Sequence, residues 1–440
     1  MKNFFEWKIA FRNLFRNKWR SFITLSAVIV GFIGIALLGG YIIRVEGYAR
    51  ISTIYNPTTG HVSIYKKNSI ENFEVSPKKY QITDNEIVII KKIFDEEEFK
   101  NKVEFYGENL IGMGLLSNGK TSVPIIINGI TPSVSHQIFT HPEVLRWKKI
   151  LTISDKGIDL LEATKDHSES VSITKDLGEL IGLTPPFANL TEKNKEVIIV
   201  GRTIHGDLNA VNAQVKLQHT TGLSLAEDTS LIAPVNLLKN LYDLKGISHI
   251  SVYLKEGIWT SVFVKKIQAR FDELNLELEA IPYFDARIGT FYAGTVSILY
   301  IMGLFFLSLI CTAVAVSILN AITIGIMERT REIGTLRSIG LSVQTISRIF
   351  TKEATLLTFA GVVISTVLAQ IIAQIIYKMN IRFSPPGVAG TMQFTVNPEL
   401  WMCLLLSLLF LLITAYTSFL ITKRKMNKKI ILLLTDSEES

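Results

Sequence analysis

The run IGTFYAGTVSILYIMGLFFLSLICTAVAVSILNAITIGIM, Ile288 to Met327, holds 40 consecutive residues without a formal charge. As one helix rising ~1.5 Å per residue it would be about 60 Å long, twice the ~30 Å hydrocarbon core of a bilayer. It has no Pro, and no Gly between Gly303 and Gly325, so nothing in it would turn the chain between two spans. The run therefore predicts one transmembrane helix with a helical extension standing out of the membrane.

Three further uncharged runs, Ser21 to Ile43, Ala354 to Tyr377 and Leu400 to Thr422, each reach the ~20 residues that cross a membrane. The first exceeds a secretory h-region and reads as a retained anchor. The segments between the runs fix the orientation. Residues 1–20, 328–353 and 423–440 together carry 16 basic against 7 acidic residues, whereas 44–287 carries 28 against 31. By the positive-inside rule both termini and the 328–353 loop are cytoplasmic, and 44–287 and 378–399 lie outside. The net charge of +7 in 440 residues thus reports topology and gives no support for nucleic-acid binding. With Gly 28, Pro 12 and Cys 2, collagen-like, disordered and disulfide-scaffold classes are excluded. Before the first span, Phe4, Trp7, Phe11, Leu14 and Phe15 share one helical face and Lys8, Arg12 and Arg16 another, the pattern of an interfacial helix over 1–20.

The fold class expected is an α-helical membrane protein with four transmembrane helices and a large extracytoplasmic α/β domain. That domain reads as a platform of two βαβ units, about 44–108 and 246–287, around a mainly β insert of about 109–245. The first unit is strand His61 to Tyr65, helix Asp84 to Phe99 and strand Lys102 to Tyr106. The second is strand Ser248 to Leu254, helix Trp259 to Leu274 and strand Leu276 to Ile281.

Candidate catalytic chemistry is sparse. Gly114 to Thr121 matches GxxxxGK[ST], but the residues after it, Ser122 to Asn128, are β-branched and contain Pro124. A P-loop needs a helix there, so Ser117-Asn118-Gly119-Lys120 reads as a hairpin turn with Asn-Gly at positive φ. The seven histidines show no zinc spacing, and no GxSxG elbow is present. No catalytic, cofactor or metal residue is assigned. The spans contain no Asp, Glu, Lys, Arg or His, which removes the relays of proton-driven carriers. They do carry small residues at four-residue steps: Ala313, Ser317, Ala321 and Gly325, then Gly361, Ser365, Ala369 and Ala373. Such stripes let helices pack closely.

The most informative polar segment is Glu328-Arg329-Thr330-Arg331-Glu332-Ile333-Gly334-Thr335-Leu336-Arg337-Ser338-Ile339-Gly340, followed by Ile349 to Ala354 with Glu353 in it. A topology signal needs neither these acids nor these glycines. The segment resembles the E-R-x-R-E-I-G-x-L-R-x-x-G signature of FtsX-like permeases, the membrane subunits of ABC transporters that include MacB-type exporters and lipoprotein-releasing LolC and LolE types. Arg12-Asn13-Leu14 and Thr59 to Ile64 extend the resemblance, while Leu341 departs from the small residue often found there.

The resemblance implies a non-enzymatic permease of the bacterial inner membrane. Glu328, Arg329, Arg331, Glu332, Gly334, Leu336, Arg337, Gly340 and Glu353 would couple it to a dimer of ABC ATPase subunits, which binds the ATP and Mg. A second permease copy or homologue, membrane lipid and an amphiphilic cargo such as lipoprotein complete the expected partners. The alternatives are MacB-like efflux with a periplasmic adaptor and FtsX-like signalling to a cell-wall hydrolase.

Overall fold

The computed structural model describes residues 6–7, 9–12, 18–55, 59–151, 159–165, 167–185, 195–222, 224–384, 388 and 390–426. Of the expected interfacial helix, Phe4, Lys8, Leu14, Phe15 and Arg16 lie outside these residues, as do Lys428 and Lys429 of the tail. Two compact units form: Met1–Val45, Ser297–Ile381 and Phe394–Ser440 make one, and Glu46–Val296 with Arg382–Gln393 makes the other.

The first long helix, α1 (Lys18–Tyr55), runs twelve residues past the expected end at Ile43. Arg44, Glu46 and Arg50 end the apolar run but not the helix, because Ala49, Ile51, Ile54 and Tyr55 are buried and give the last turns a packed face. In the sheet unit follow strand β1 (Val62–Lys66), helix α2 (Asp84–Asp95), β2 (Val103–Ser117), β3 (Ser122–Ile130), α3 (Pro132–Thr140) and α4 (Pro142–Leu151). Next come β4 (Ser170–Thr174), β5 (Glu196–Arg202), β6 (Leu208–His219), β7 (Ser230–Pro234), α5 (Val235–Tyr242), β8 (His249–Leu254), α6 (Thr260–Glu273) and β9 (Leu278–Pro282).

The outer strands run β2-β8-β1-β9 with all neighbours antiparallel. With α2 and α6 as crossovers this is the split βαβ, ferredoxin-like order. Helix α2 opens on a capping box in which Thr83 and Glu86 satisfy each other's backbone. It stops at Asp95, short of the expected Phe99, where four consecutive acids, Asp95 to Glu98, would oppose the negative end of its dipole. Ile250, Val252 and Leu254 alternate along β8 and join Ile90, Phe94, Phe263, Ile267 and Phe271 in one buried core. The intervening Tyr253 belongs to a separate aromatic cluster with Tyr55, Val134 and Tyr283, stacking on Phe105 and Tyr55 at 4.3 and 5.7 Å.

Strand β2 continues from the platform into the insert. There the pairings β2–β3, β3–β7, β7–β4, β4–β6, β6–β5 and β5–β2 close a ring of six strands. The barrel core contains Leu116, Ile127, Val171, Ile199 and Val215.

In the other unit, α7 (Thr290–Glu328) is a single unbroken helix of 39 residues, close to the predicted limits. It is followed by α8 (Thr330–Ser338), α9 (Val343–Met379) and α10 (Leu400–Met426). Among the described residues four helices, α1, α7, α9 and α10, are long and apolar enough to cross a membrane. Phe32 of α1 meets Phe410 of α10 edge-on at 5.5 Å. Gly40 lets the chain at Asn397 and Pro398 approach so closely that a Cβ would sit 2.6 Å from the Pro398 nitrogen.

Three buried histidines make the sheet unit acid-sensitive. His61 accepts the Leu254 N–H at Nδ1, 3.1 Å, and burial, then Arg50 and His141, lowers its pKa to about 4. Burial lowers His219 and His249 to about 3. Each stays neutral when folded but takes a proton when unfolded below the ordinary ~6.5, so stability is lost as pH falls from about 6.5 toward 4, by roughly 1 kcal/mol per pH unit per group. Thermal melts of the full chain should fall across that window, and His219→Gln should flatten the decline.

Candidate coupling helix

Helix α7 ends because Arg329 leaves the helical region, at φ −115° and ψ 18°. This break turns its guanidinium inward. Arg329 is 4% exposed, and its Nη1 donates to Glu353 Oε2 of α9 at 3.3 Å. The neighbouring Lys352 bonds Glu6 and lies 5.2 Å over the Trp7 ring. Helix α8 is seated by Ile333, which packs with Ile326, Ile346 and Phe350.

Its end is a Schellman turn. Gly340 takes φ +99°, its N–H donates to the Arg337 carbonyl at 3.0 Å, and the Leu341 N–H donates to that of Leu336 at 3.0 Å. Ser342 then caps α9 by accepting the Thr345 N–H. The expected 328–353 loop is therefore mostly helix: the positive-φ glycine lets the chain reverse within four residues.

The structure divides the predicted coupling residues. Glu328, Glu332, Leu336 and Gly340 are exposed, Arg337 is half-buried, Gly334 is buried, and Arg331 lies within α8. Arg329 and Glu353 instead form a buried pair joining the end of α7 to α9. Ile339, absent from the predicted set, is 72% exposed and adds to Leu336 an apolar tip between charges. Its signal was a large aliphatic directly before a helix-ending glycine.

The two small-residue stripes differ. Gly361, Ser365, Ala369 and Ala373 are all buried along α9, and a Cβ on Gly361 would lie 3.0 Å from Val28 of α1. On α7, Ala313 is exposed, Ser317 and Ala321 are half-buried and only Gly325 is buried. The packed line of α7 lies one residue on, at Val314, Ile318, Ile322 and Ile326, where β-branched side chains fill the space.

The P-loop-like segment is the β2–β3 hairpin, with Ser117 opposite Ser122. Only Gly119 takes positive φ, at +83°. Asn118 acts through its side chain instead: Oδ1 accepts the N–H groups of Lys120 and Thr121 at 2.9 and 2.8 Å. Among the described residues no group of three His, Cys, Asp or Glu could hold a metal.

Residues 291–430, which contain α8 and its flanking helices, match the FtsX-like permease C-terminal domain. Over these residues the chain is similar to FtsX-like permeases. The ABC transporter permease YtrF of Bacillus subtilis (strain 168) is 27% identical over 142 residues, 31% of this chain and 32% of that protein. The match thus spans about a third of that relative's length. Among solved structures, the periplasmic region of MacB from Actinobacillus actinomycetemcomitans aligns over 52% of this chain and 94% of its own, at 15% identity and TM-score 0.33. The extracellular domain of the noncanonic ABC-type transporter YknZ from Gram-positive bacteria aligns over 50% and 98%, at 13% identity and TM-score 0.30.

The helical unit should respond unequally to its charges. Arg329→Met or Glu353→Leu alone strands a buried charge and should cost about 3–5 kcal/mol, whereas the double variant should recover most of it. Glu332→Lys, on the exposed face, should leave the melting temperature within about a degree of the parent. In the hairpin, Asn118→Ala should lower the melting temperature and Lys120→Ala should not, each read by thermal denaturation in detergent.

Proposed function

We propose that the chain is the permease subunit of an ABC transporter. A separate ATPase subunit docks on α8 from the cytoplasm, and its ATP-driven movement is passed through α7 and α9 to export or release an amphiphilic cargo such as a lipoprotein. The observation that carries this reading is α8 itself. It is a short helix wedged by Ile333 and closed by Gly340, and it presents Glu332, Leu336 and Ile339 outward within a segment that matches the FtsX-like permease domain. The charge counts of the flanking segments support a cytoplasmic α8. Spans without Asp, Glu, Lys, Arg or His favour a cargo that needs no charged path. The chain supplies no hydrolytic chemistry of its own in this scheme, and a second permease copy completes the assembly.

Interface charges and apolar anchors cost about 2–5 kcal/mol when a buried partner is reversed or removed. Ile339→Glu, Leu336→Glu and Arg331→Glu should therefore each reduce ATPase co-purification by tenfold or more while the membrane-inserted amount and melting temperature stay normal. Retention of ATPase and normal coupled turnover in all three would overturn the docking. Photo-crosslinkers at Met113 and Phe284, both exposed, should capture lipidated material, and capture of a cell-wall hydrolase alone would favour signalling over transport.

A further inference from the structure

The sheet unit contains a cavity of about 290 Å³, at the small end of the ~300–1,000 Å³ typical of ligand pockets. Its wall draws on separate parts of this unit: Thr53 near the end of α1, Ile126 and Asn128 of β3, Thr229 just before β7, Ile232 within it, and Phe291 in the first turn of α7. Among the described residues no Asp, Glu, Lys or Arg lines it. The titratable ring on the wall is His219, whose Nδ1 and Nε2 are already engaged by Ser172 and Ser230 at 3.0 and 3.1 Å. Burial keeps that ring uncharged above about pH 3.

These features select a ligand chemistry. A carboxylate, phosphate or ammonium entering the cavity would lose water without meeting an opposite charge, a cost of several kcal/mol. A purely aliphatic guest would leave Thr53, Asn128 and Thr229 facing hydrocarbon. A guest with a short hydrocarbon segment beside an uncharged hydroxyl, ester or amide satisfies both halves, since Ile126, Ile232 and Phe291 offer the apolar side. The outer face of the barrel supplies an approach: Met113 and Ile126 stand directly opposite each other on β2 and β3 and are 55% and 41% exposed.

We propose that this cavity binds the neutral, hydrogen-bonding segment of an amphiphile, held jointly by the barrel and the ends of α1 and α7. The physiological identity of that amphiphile as cargo rests on the transport reading above; the binding itself does not. Because residues of α1 and α7 form opposite stretches of sequence but one wall, occupancy selects among the positions those helix ends can take.

The test uses the full chain in phosphatidylcholine nanodiscs with 3-azioctanol, a photoreactive neutral alcohol, and peptide mapping of the adducts. Labelling within 52–53, 226–232 or 288–291 should saturate and be competed by octanol. Ala226→Trp, which fills the cavity, should abolish the saturable part. Thr229→Val, which removes one hydroxyl and little volume, should weaken half-saturation about five-fold at an unchanged melting temperature. Non-saturable labelling, full labelling in a folded Ala226→Trp, or equal labelling by a diazirine octanoate would each overturn the proposal. If Ala226→Trp does not fold, Thr229→Val decides alone, an unchanged half-saturation counting against the site. Failure of the α8 variants to disturb ATPase docking, with saturable labelling intact, would sink the transport reading and leave the cavity standing.

Discussion

A strand has two edges, and every N–H and C=O along them must find a partner or water. The sheet unit is organised by how β2 meets that demand over fifteen residues. One edge gives Val103 to Asn109 to β8 and Leu115 to Ser117 to β5, while the other gives Asn109 to Ser117 to β3. Asn109 is the pivot, opposite His249 on one side and Ile130 on the other, and its Nδ2 donates to Ser251 Oγ at 2.8 Å. Because β2 is shared, platform and barrel are joined through one continuous strand.

The helical unit depends on a different kind of pairing. Its spans pack through glycine and small residues on α9 and β-branched residues on α7, which needs no charge. At the edge of the apolar region, however, Arg329 is withdrawn from solvent onto Glu353. A buried ion pair of this kind is weak evidence for stability but fixes which arrangement is tolerated. Here it ties the break after α7 to α9, while Glu328 and Glu332 of the same short segment stay exposed.

Much of this was legible in the sequence. Four apolar helices, the strand–helix–strand units at both ends of the sheet region, the unbroken run at Ile288 to Met327 and the refusal of a P-loop at Lys120 followed from charge spacing and β-branching. The end of α1 and the start of α9 did not, because Arg44 and Glu353 mark where apolar character stops, whereas a helix stops where its packing or capping does. The partition of the candidate coupling charges was also invisible: Arg329 and Glu332 differ by three positions, and the break at Arg329 turns its guanidinium inward while Glu332 stays exposed. Ring closure of the barrel depends on pairings between segments some hundred residues apart, such as Ile126 with Ser230, which no local pattern encodes.

The closed ring has one more consequence. Of the nine strands, each pairs on two sides except β9, so the described sheet has a single open flank. That flank is only five residues long, carries the half-exposed Glu279 and ends at Pro282, which lacks the N–H a further strand would need. The sheet is thereby guarded against edge-to-edge polymerisation. A tenth strand could add only along this short flank, beside a charge and a proline.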